Sequence, residues 1–254
     1  MEDNSLFKNF MLETLSFVTP YIREAFLSRS FMVDVKADHT PVTEVDKNAE
    51  LMIRERIERR FPGHGILGEE FGSELKDDYT WVIDPIDGTK SFVAGVPLFG
   101  TLLALLKEGQ PILGAIALPV QCEVYLGDNV VTELNGKLIK VRDAAELEEA
   151  VLLTSDYRDI LRLKNRERFD DLMSRVKIFR TWGDCFGYSL IAGGAPAVMA
   201  DPEMSPWDLL PLIPVIRGAG GVITGYEGEE AVGASSCLAG PPNLHRLALE
   251  ILQG

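Results

Sequence analysis

Two aspartates close the segment Trp81-Val82-Ile83-Asp84-Pro85-Ile86-Asp87-Gly88-Thr89, where an apolar run ends in a turn. Pro85 fixes its own φ and Gly88 permits a tight turn, so both carboxylates, the Ile86 carbonyl and the Thr89 hydroxyl can face one point. Hard cations such as Mg²⁺ take that kind of oxygen cluster. Asp, Pro and Gly are also common turn formers, so the segment taken alone fits a plain turn as well. Gly68-Glu69-Glu70 again places carboxylates at the end of a short apolar strand, although paired glutamates usually sit on solvated surface. Asp208, behind Pro206-Trp207, falls in the first turn of an expected helix, where the helix dipole favours an acid in any case. Together, Glu69, Asp84, Asp87 and Asp208 sit at element ends in separate segments. Their convergence would make a two-metal site, with ions ~3.5–4 Å apart driving in-line attack on a phosphate ester.

Helices and strands must carry those acids. Leu6, Phe7, Phe10, Met11, Leu15 and Val18 recur at helical spacing, and Pro20 is expected to kink or end that helix. A short strand is expected at 32–36. Thr43 can cap the next helix, with Asp46 as a capping-box variant, and Val45, Ala49, Met52, Ile53 and Ile57 form its apolar stripe. Glu50 with Arg54 and Glu55 with Arg59 are expected on its exposed face. From Ile66 the period changes. Ile66-Leu67, 80–83, 98–105, 112–118 and 123–126 read as strands of an antiparallel sheet. Beyond Asp143 come a strand at 151–154, a helix at 159–173, a strand at 176–180 and further alternation to a last helix at 243–252. The expected division is residues 1–145, an α+β half with most metal ligands, and 146–254, an α/β half with the leaving-group pocket and the last ligand.

The chain has 254 residues, with 25 basic against 39 acidic side chains and a formal charge of −14. That balance argues against a nucleic-acid partner, which needs clustered Lys and Arg. It leaves room for a small phosphate ester recruited through divalent cations. Cys122, Cys185 and Cys237 are odd in number and widely spaced, which reads as free thiols in a reducing compartment. Met1-Glu2-Asp3-Asn4 lacks the basic start of a signal peptide, and no apolar run approaches a membrane span. The expectation is a soluble, cytoplasmic protein without a membrane partner.

The same residues carry a resemblance. Glu69-Glu70, then Asp84-Pro85-Ile86-Asp87-Gly88-Thr89, then Trp207-Asp208 followed by Gly218-Ala219-Gly220-Gly221 resemble the inositol-monophosphatase-like superfamily of metal-dependent phosphatases. Lys36, Thr43 and Asp46 extend the match, in the family's order, over nearly the whole chain. Within the superfamily, Thr89 to Thr101 and Arg180-Thr181-Trp182-Gly183-Asp184-Cys185 look most like histidinol-phosphate phosphatases.

The resemblance implies a layered α/β sandwich with sheets between helix pairs, and two or three Mg²⁺ ions. Glu69, Asp84 and the Ile86 carbonyl would hold the first ion, and Asp84, Asp87 and Asp208 the second. Glu69 and Thr89 would position the attacking water, with Asp46 behind Thr89. Asp87, Gly88 and Thr89 would face the phosphate, with backbone N–H groups at a helix start as donors. Arg180, Trp182, Gly183, Asp184 and Asp201 would shape the leaving-group pocket. Trp182 also reads as a core aromatic, and Asp184 as a helix N-cap. A Trp with two acids suits a leaving group bearing an ammonium and an imidazole, whereas Asp201 occupies a position that inositol phosphatases also fill with an acid. A homodimer is a weaker implication.

Gly88-Thr89-Lys90-Ser91 is not a P-loop, since Thr89 intervenes before Lys90 and the upstream glycine is absent. His39, His64 and His245 are scattered and lack the partners that would orient them for catalysis. Pro211 and Pro214 fall inside the helix expected after Asp208, which is expected to be distorted or to start late. The expected function is Mg²⁺-dependent hydrolysis of L-histidinol phosphate. The alternatives are the same chemistry on an inositol or related sugar phosphate, and a catalytically idle metal- or partner-binding scaffold.

Overall fold

The computed structural model describes residues 4–35, 41–74, 76 and 78–254. Met1, Glu2, Asp3, Lys36 and His39 lie outside the described residues.

The first helix, Asn4–Ser28, buries Phe7, Phe10, Met11, Leu15, Val18, Ile22 and Phe26 along one stripe. It continues past Pro20, so the proline does not end the helix, one of the two outcomes expected there. The reason is exposure. Pro20 and Ser16 lie on the solvent side, so the Ser16 carbonyl freed by the missing N–H faces water. The second helix, Glu44–Arg60, has the expected capping box between Thr43 and Asp46. Both helices pack on one face of an eight-stranded sheet.

That sheet runs in the order Lys137–Ile139, Thr132–Leu134, Glu123–Gly127, Gln110–Leu118, Gly100–Lys107, Tyr79–Asp87, Gly65–Gly68, Gly72–Glu74. Its neighbours are antiparallel except Gly65–Gly68 beside Tyr79–Asp87, which are parallel. Two-residue alternation sorts its side chains. Trp81, Ile83, Leu103 and Leu105 face the first helix pair, while Leu102, Ile116 and Leu118 face the other way. Each fully buried Leu or Ile contributes roughly 1.5–3 kcal/mol.

The opposite face meets helices Asp184–Ala192 and Leu212–Gly218, which in turn cover a five-stranded sheet. Its order is Ile178–Arg180, Val151–Leu153, Ala197–Asp201, Cys237–Gly240, Val222–Thr224. The first three strands are parallel and the remaining pairs antiparallel. Met199 points into the shared core, and Val198 and Ala200 point to the far side, where Phe169 and Leu172 of one helix and Leu244, Ala248 and Leu252 of the last helix close the stack. The result is alternating helix and sheet layers, as the fold class read from the sequence requires. The helix expected at 159–173 is two, Tyr157–Leu163 and Arg166–Arg175, separated by the caps Lys164 and Asn165. Among the described residues no helix is long and apolar enough to cross a membrane.

Candidate active site

In a regular strand, residues three apart point to opposite faces. Asp84 and Asp87 escape that rule because the pairing of Tyr79–Asp87 with Gly100–Lys107 slips between them. The bulge is held by Thr101, whose hydroxyl donates to the Pro85 carbonyl at 2.9 Å. Asp84, Asp87 and Asp208 thereby bring one oxygen each within 4.8 Å of one another. Gly88 then turns the chain with φ +90°. A Cβ there would sit 2.9 Å from the Leu98 carbonyl oxygen and 3.0 Å from Asp184 Oδ2, so glycine answers both the dihedral and the space.

Glu69 arrives by the parallel pairing. Gly68 lies opposite Ile83, and the Glu69 N–H donates to the Ile83 carbonyl at 3.2 Å, which sets Glu69 beside Asp84. The turn after it is clamped by Glu50. This carboxylate is fully buried and accepts from the Glu70 N–H at 2.7 Å, the Phe71 N–H at 3.3 Å and Arg54 Nε at 2.7 Å. Glu50 is therefore not on an exposed helix face. Only glycine fits at 68, where a Cβ would fall 2.0 Å from Glu50 Oε1.

Asp208 is delivered by a short helix, Pro206–Leu209. Its Oδ2 accepts from the Ser205 N–H at 2.9 Å in a capping box. Pro211 is the N-cap of the separate helix Leu212–Gly218, and Pro214 falls in its first turn. Those positions have no intrahelical N–H bond to lose, so the prolines split the expected helix without deflecting Asp208.

Thr89 stands over the cluster. Its Oγ1 lies 2.9 Å from the Ile86 carbonyl and 3.2 Å from Asp46 Oδ1, sharing one proton between two acceptors. Asp46 is fully buried. Its Oδ2 accepts from the Thr43 N–H at 2.8 Å and from the Thr43 hydroxyl. Burial raises the Asp46 carboxyl above the usual range, and the bonds from Thr43 and Thr89 pull it back.

These groups line a cleft of about 400 Å³ with Pro41, Lys90, Asp184, Ser205 and Trp207. Burial pushes Asp84 well above the ordinary carboxylate range, and the charges of Glu69, Asp87 and Asp208 add to it. Asp87 is raised by burial and then by Asp184 and Asp208, with hydrogen bonds from Cys185 opposing. Asp84 Oδ1 is buried with no hydrogen-bond partner among the described residues. An orphaned carboxylate oxygen among further carboxylates fits a hard divalent cation. A larger groove of about 860 Å³ lies between the first helix and 118–124. Its lining carries Glu24 and Glu123 but, among the described residues, no cluster able to hold a metal, so size does not locate the chemistry.

A second cavity of about 240 Å³ opens from the same acids and is lined by Ser155, Asp156, Thr181, Asp184 and Asp201 with Asp87, Lys90 and Asp208. Asp184 is not an N-cap. Gly183 is the cap residue, and Asp184 is the first helical residue, with no side-chain capping bond. It is part-exposed to the cavity yet surrounded by protein. Desolvation and the charges of Asp201 and Asp208 push it up to about 7, with Lys90 opposing. Asp201 is buried, accepting from the Ser155 N–H at 2.8 Å and the Tyr188 hydroxyl at 2.9 Å. Trp182 is no core aromatic. The residue is 40% exposed, with the Arg180 guanidinium 5.8 Å from the ring centre. Arg180, Trp182 and Gly183 line neither cavity.

Residues 4–254 match the model of the inositol monophosphatase family. The chain belongs to that family. It is 39% identical over 209 residues to a histidinol-phosphatase of Chlorobaculum parvum, covering 82% of this chain and 81% of that one. It is 37% identical over 230 residues to a histidinol-phosphatase of Mycobacterium tuberculosis, covering 88% of each. A solved inositol monophosphatase of Thermotoga maritima superposes with a TM-score of 0.86 at 27% identity, covering 96% of this chain and 95% of that one. As an inositol monophosphatase family member the chain is a phosphoric monoester hydrolase.

The roles of three residues in or behind this family member's cleft escaped the sequence reading. Lys90 lines both cavities, and the available signal was a cation directly after Asp-Gly-Thr in an acidic chain. Glu50 and Ser155 act through backbone contacts distant in sequence and leave no local pattern. His64 and His245 have side-chain partners, and neither lines the two cavities. His64 accepts from Trp81 Nε1 at 3.1 Å, and His245 sits against Thr224.

Proposed function

We propose that the protein is a Mg²⁺-dependent phosphatase whose substrate is L-histidinol phosphate. The observation that carries the metal-dependent reading is the convergence of Glu69, Asp84, Asp87, Asp208 and Thr89 on one cleft, with Asp84 Oδ1 buried and unpartnered. Glu69, Asp84 and the Ile86 carbonyl would hold one ion, and Asp84, Asp87 and Asp208 another. Bound Mg²⁺ supplies the positive charge that draws the phosphate into an acidic cleft and stabilises charge developing on its oxygens.

The chain's own groups do the rest. Asp46 receives the Thr89 hydroxyl and so fixes a lone pair of Thr89 Oγ1 toward the cleft. Glu69 and Thr89 would orient the attacking water, Glu69 would take its proton as the new P–O bond forms and the ester P–O bond breaks in line, and the leaving alkoxide would take a proton from solvent. No side-chain nucleophile is required. Gly88 lets the backbone approach the phosphate closely, and Lys90 adds a cation at the junction of the two cavities.

Support for the substrate comes from the leaving-group side. The second cavity is lined by Asp156, Asp184 and Asp201 and suits a cationic body more than a neutral one. Relatives named histidinol-phosphatase support the same reading. Release of inorganic phosphate from L-histidinol phosphate, with Mg²⁺ and with EDTA, tests it directly.

A further inference from the structure

Asp184 holds a backbone conformation that L side chains avoid, with φ +52°. An aspartate tolerates that region better than most residues, but it needs a reason to stay there. Gly183, just before it, has no room for a side chain, because a Cβ would meet Ser155 Cα at 2.2 Å. The two residues are thus folded tightly over Ser155, at the end of the Val151–Leu153 strand. Ser155 holds both sides of the leaving-group cavity. Its Oγ accepts the Asp184 N–H at 2.9 Å, and its own N–H donates to Asp201 Oδ1 at 2.8 Å. Burial raises the Asp201 carboxyl, and the hydrogen bonds from Ser155 and Tyr188 oppose that rise. Ser155 lines the cavity between the two acids.

We propose that Ser155 is a positioning residue for substrate selection: its hydroxyl locks the left-handed turn at Asp184 and so sets the Asp184 carboxylate against Asp201 across the leaving-group cavity. The inference rests on the reading of that cavity as the site for a cationic leaving group. It does not depend on the metal chemistry. Without the hydroxyl, the Asp184 N–H loses its acceptor and the turn loses the bond that opposes its unfavourable φ. The Asp184 side chain then leaves its place beside Gly88, where Oδ2 now sits 3.0 Å from the Cβ position. The Ser155 N–H bond to Asp201 is a backbone bond and survives substitution.

Two measurements on the full chain with Mg²⁺ test this, using Ser155→Ala and Ser155→Thr. Amide hydrogen exchange at Asp184 reads the turn itself. Ser155→Ala should speed it by roughly tenfold, the size of one net hydrogen bond, and Ser155→Thr should restore it. Steady-state kinetics read the consequence. In Ser155→Ala the KM for L-histidinol phosphate should rise roughly 3- to 10-fold, with a smaller change in kcat, and more than the KM for glycerol 2-phosphate rises. Unchanged exchange at Asp184 overturns the proposal, whatever the substrate. Equal losses on the two esters overturn it as well, since a merely structural residue would act that way. If the unsubstituted enzyme itself fails to prefer L-histidinol phosphate, the substrate reading fails, and the exchange measurement still decides whether Ser155 locks the turn.

Discussion

Asp87 Oδ2 accepts the backbone N–H of Cys185 at 2.6 Å, joining the acidic turn to a helix start 98 residues further along the chain. One carboxylate thus faces the expected metal cluster and also fixes the element that carries Asp184. The acidic turn and the helix that starts at Asp184 are thus tied together through one side chain.

Asp84→Asn and Asp87→Asn should each cut Mg²⁺-dependent turnover by roughly 100-fold or more, because each removes a charged oxygen from the site that holds the ions. The metal-free fold should not suffer, since Asn at 87 keeps an amide oxygen to accept the Cys185 N–H. Both carboxyls are raised by burial and by neighbouring acids, so neutralising one relieves repulsion. Phosphate release and the Tm in EDTA check the pair of outcomes. Near-normal turnover, or a lowered metal-free Tm, would count against the assignment.

The same raised carboxyls set the pH dependence. In the unfolded chain these groups titrate near about 4, and in the folded one Asp84 and Asp87 lie higher, with Asp184 at about 7. Protonation therefore favours the folded state. The stabilising contribution is complete below the unfolded value and is lost as pH rises through the folded values. In EDTA the Tm should fall from about pH 5 to about pH 8. The rise in Tm on adding Mg²⁺ should grow over the same interval, since cation and proton compete. Differential scanning calorimetry in the two conditions reads both slopes.

Much of this was legible beforehand. Asp84, Asp87 and Thr89 are local in sequence, and a proline and a glycine announce their turn. The capping box at Thr43 and Asp46 follows from spacing alone. Other features have long-range causes. The apolar stripe of the first helix already puts positions 16 and 20 on its solvent side, so the fate of Pro20 could have been read, whereas nothing near Glu50 shows that a turn 20 residues away will claim its carboxylate. Asp184 reads locally as a cap, and only its contact with Ser155, 29 residues earlier, makes it something else.

Thr89→Ala should lower kcat by roughly 100-fold, the lower end of what proton-handling groups contribute, while Mg²⁺ affinity by titration calorimetry changes only a few-fold. Thr89→Ser should recover most of the loss, since the hydroxyl still reaches Asp46. Equal losses in Ser and Ala variants would mean that the methyl group, not the hydroxyl, matters.

Glu50→Ala tests the buried clamp. It leaves Arg54, whose side chain is 13% exposed, without its carboxylate and with only the Gly72 carbonyl among the described partners, and it leaves the Glu70 and Phe71 N–H groups without their acceptor. Breaking a buried pair of this kind costs about 3 kcal/mol, or a Tm lower by roughly 6–12 °C in a chain of this size. Calorimetry of the variant should show that fall. An unchanged Tm would show that the turn after Glu69 is held by other means.

Asp184→Asn keeps the shape and removes the charge. If Asp184 pairs with the ammonium of the leaving group, kcat/KM for L-histidinol phosphate should drop roughly 3- to 100-fold, while a neutral ester changes less. Parallel losses would make Asp184 a structural residue.

The most direct measurement is kcat/KM for phosphate release from L-histidinol phosphate and from inositol 1-phosphate, each with Mg²⁺ and with EDTA. The account predicts release that needs Mg²⁺ and a preference of at least about tenfold for L-histidinol phosphate, the size of one charge-assisted contact. Equal or faster turnover of inositol 1-phosphate would contradict the reading of the leaving-group cavity, and release undiminished by EDTA would contradict the reading of the carboxylate cluster.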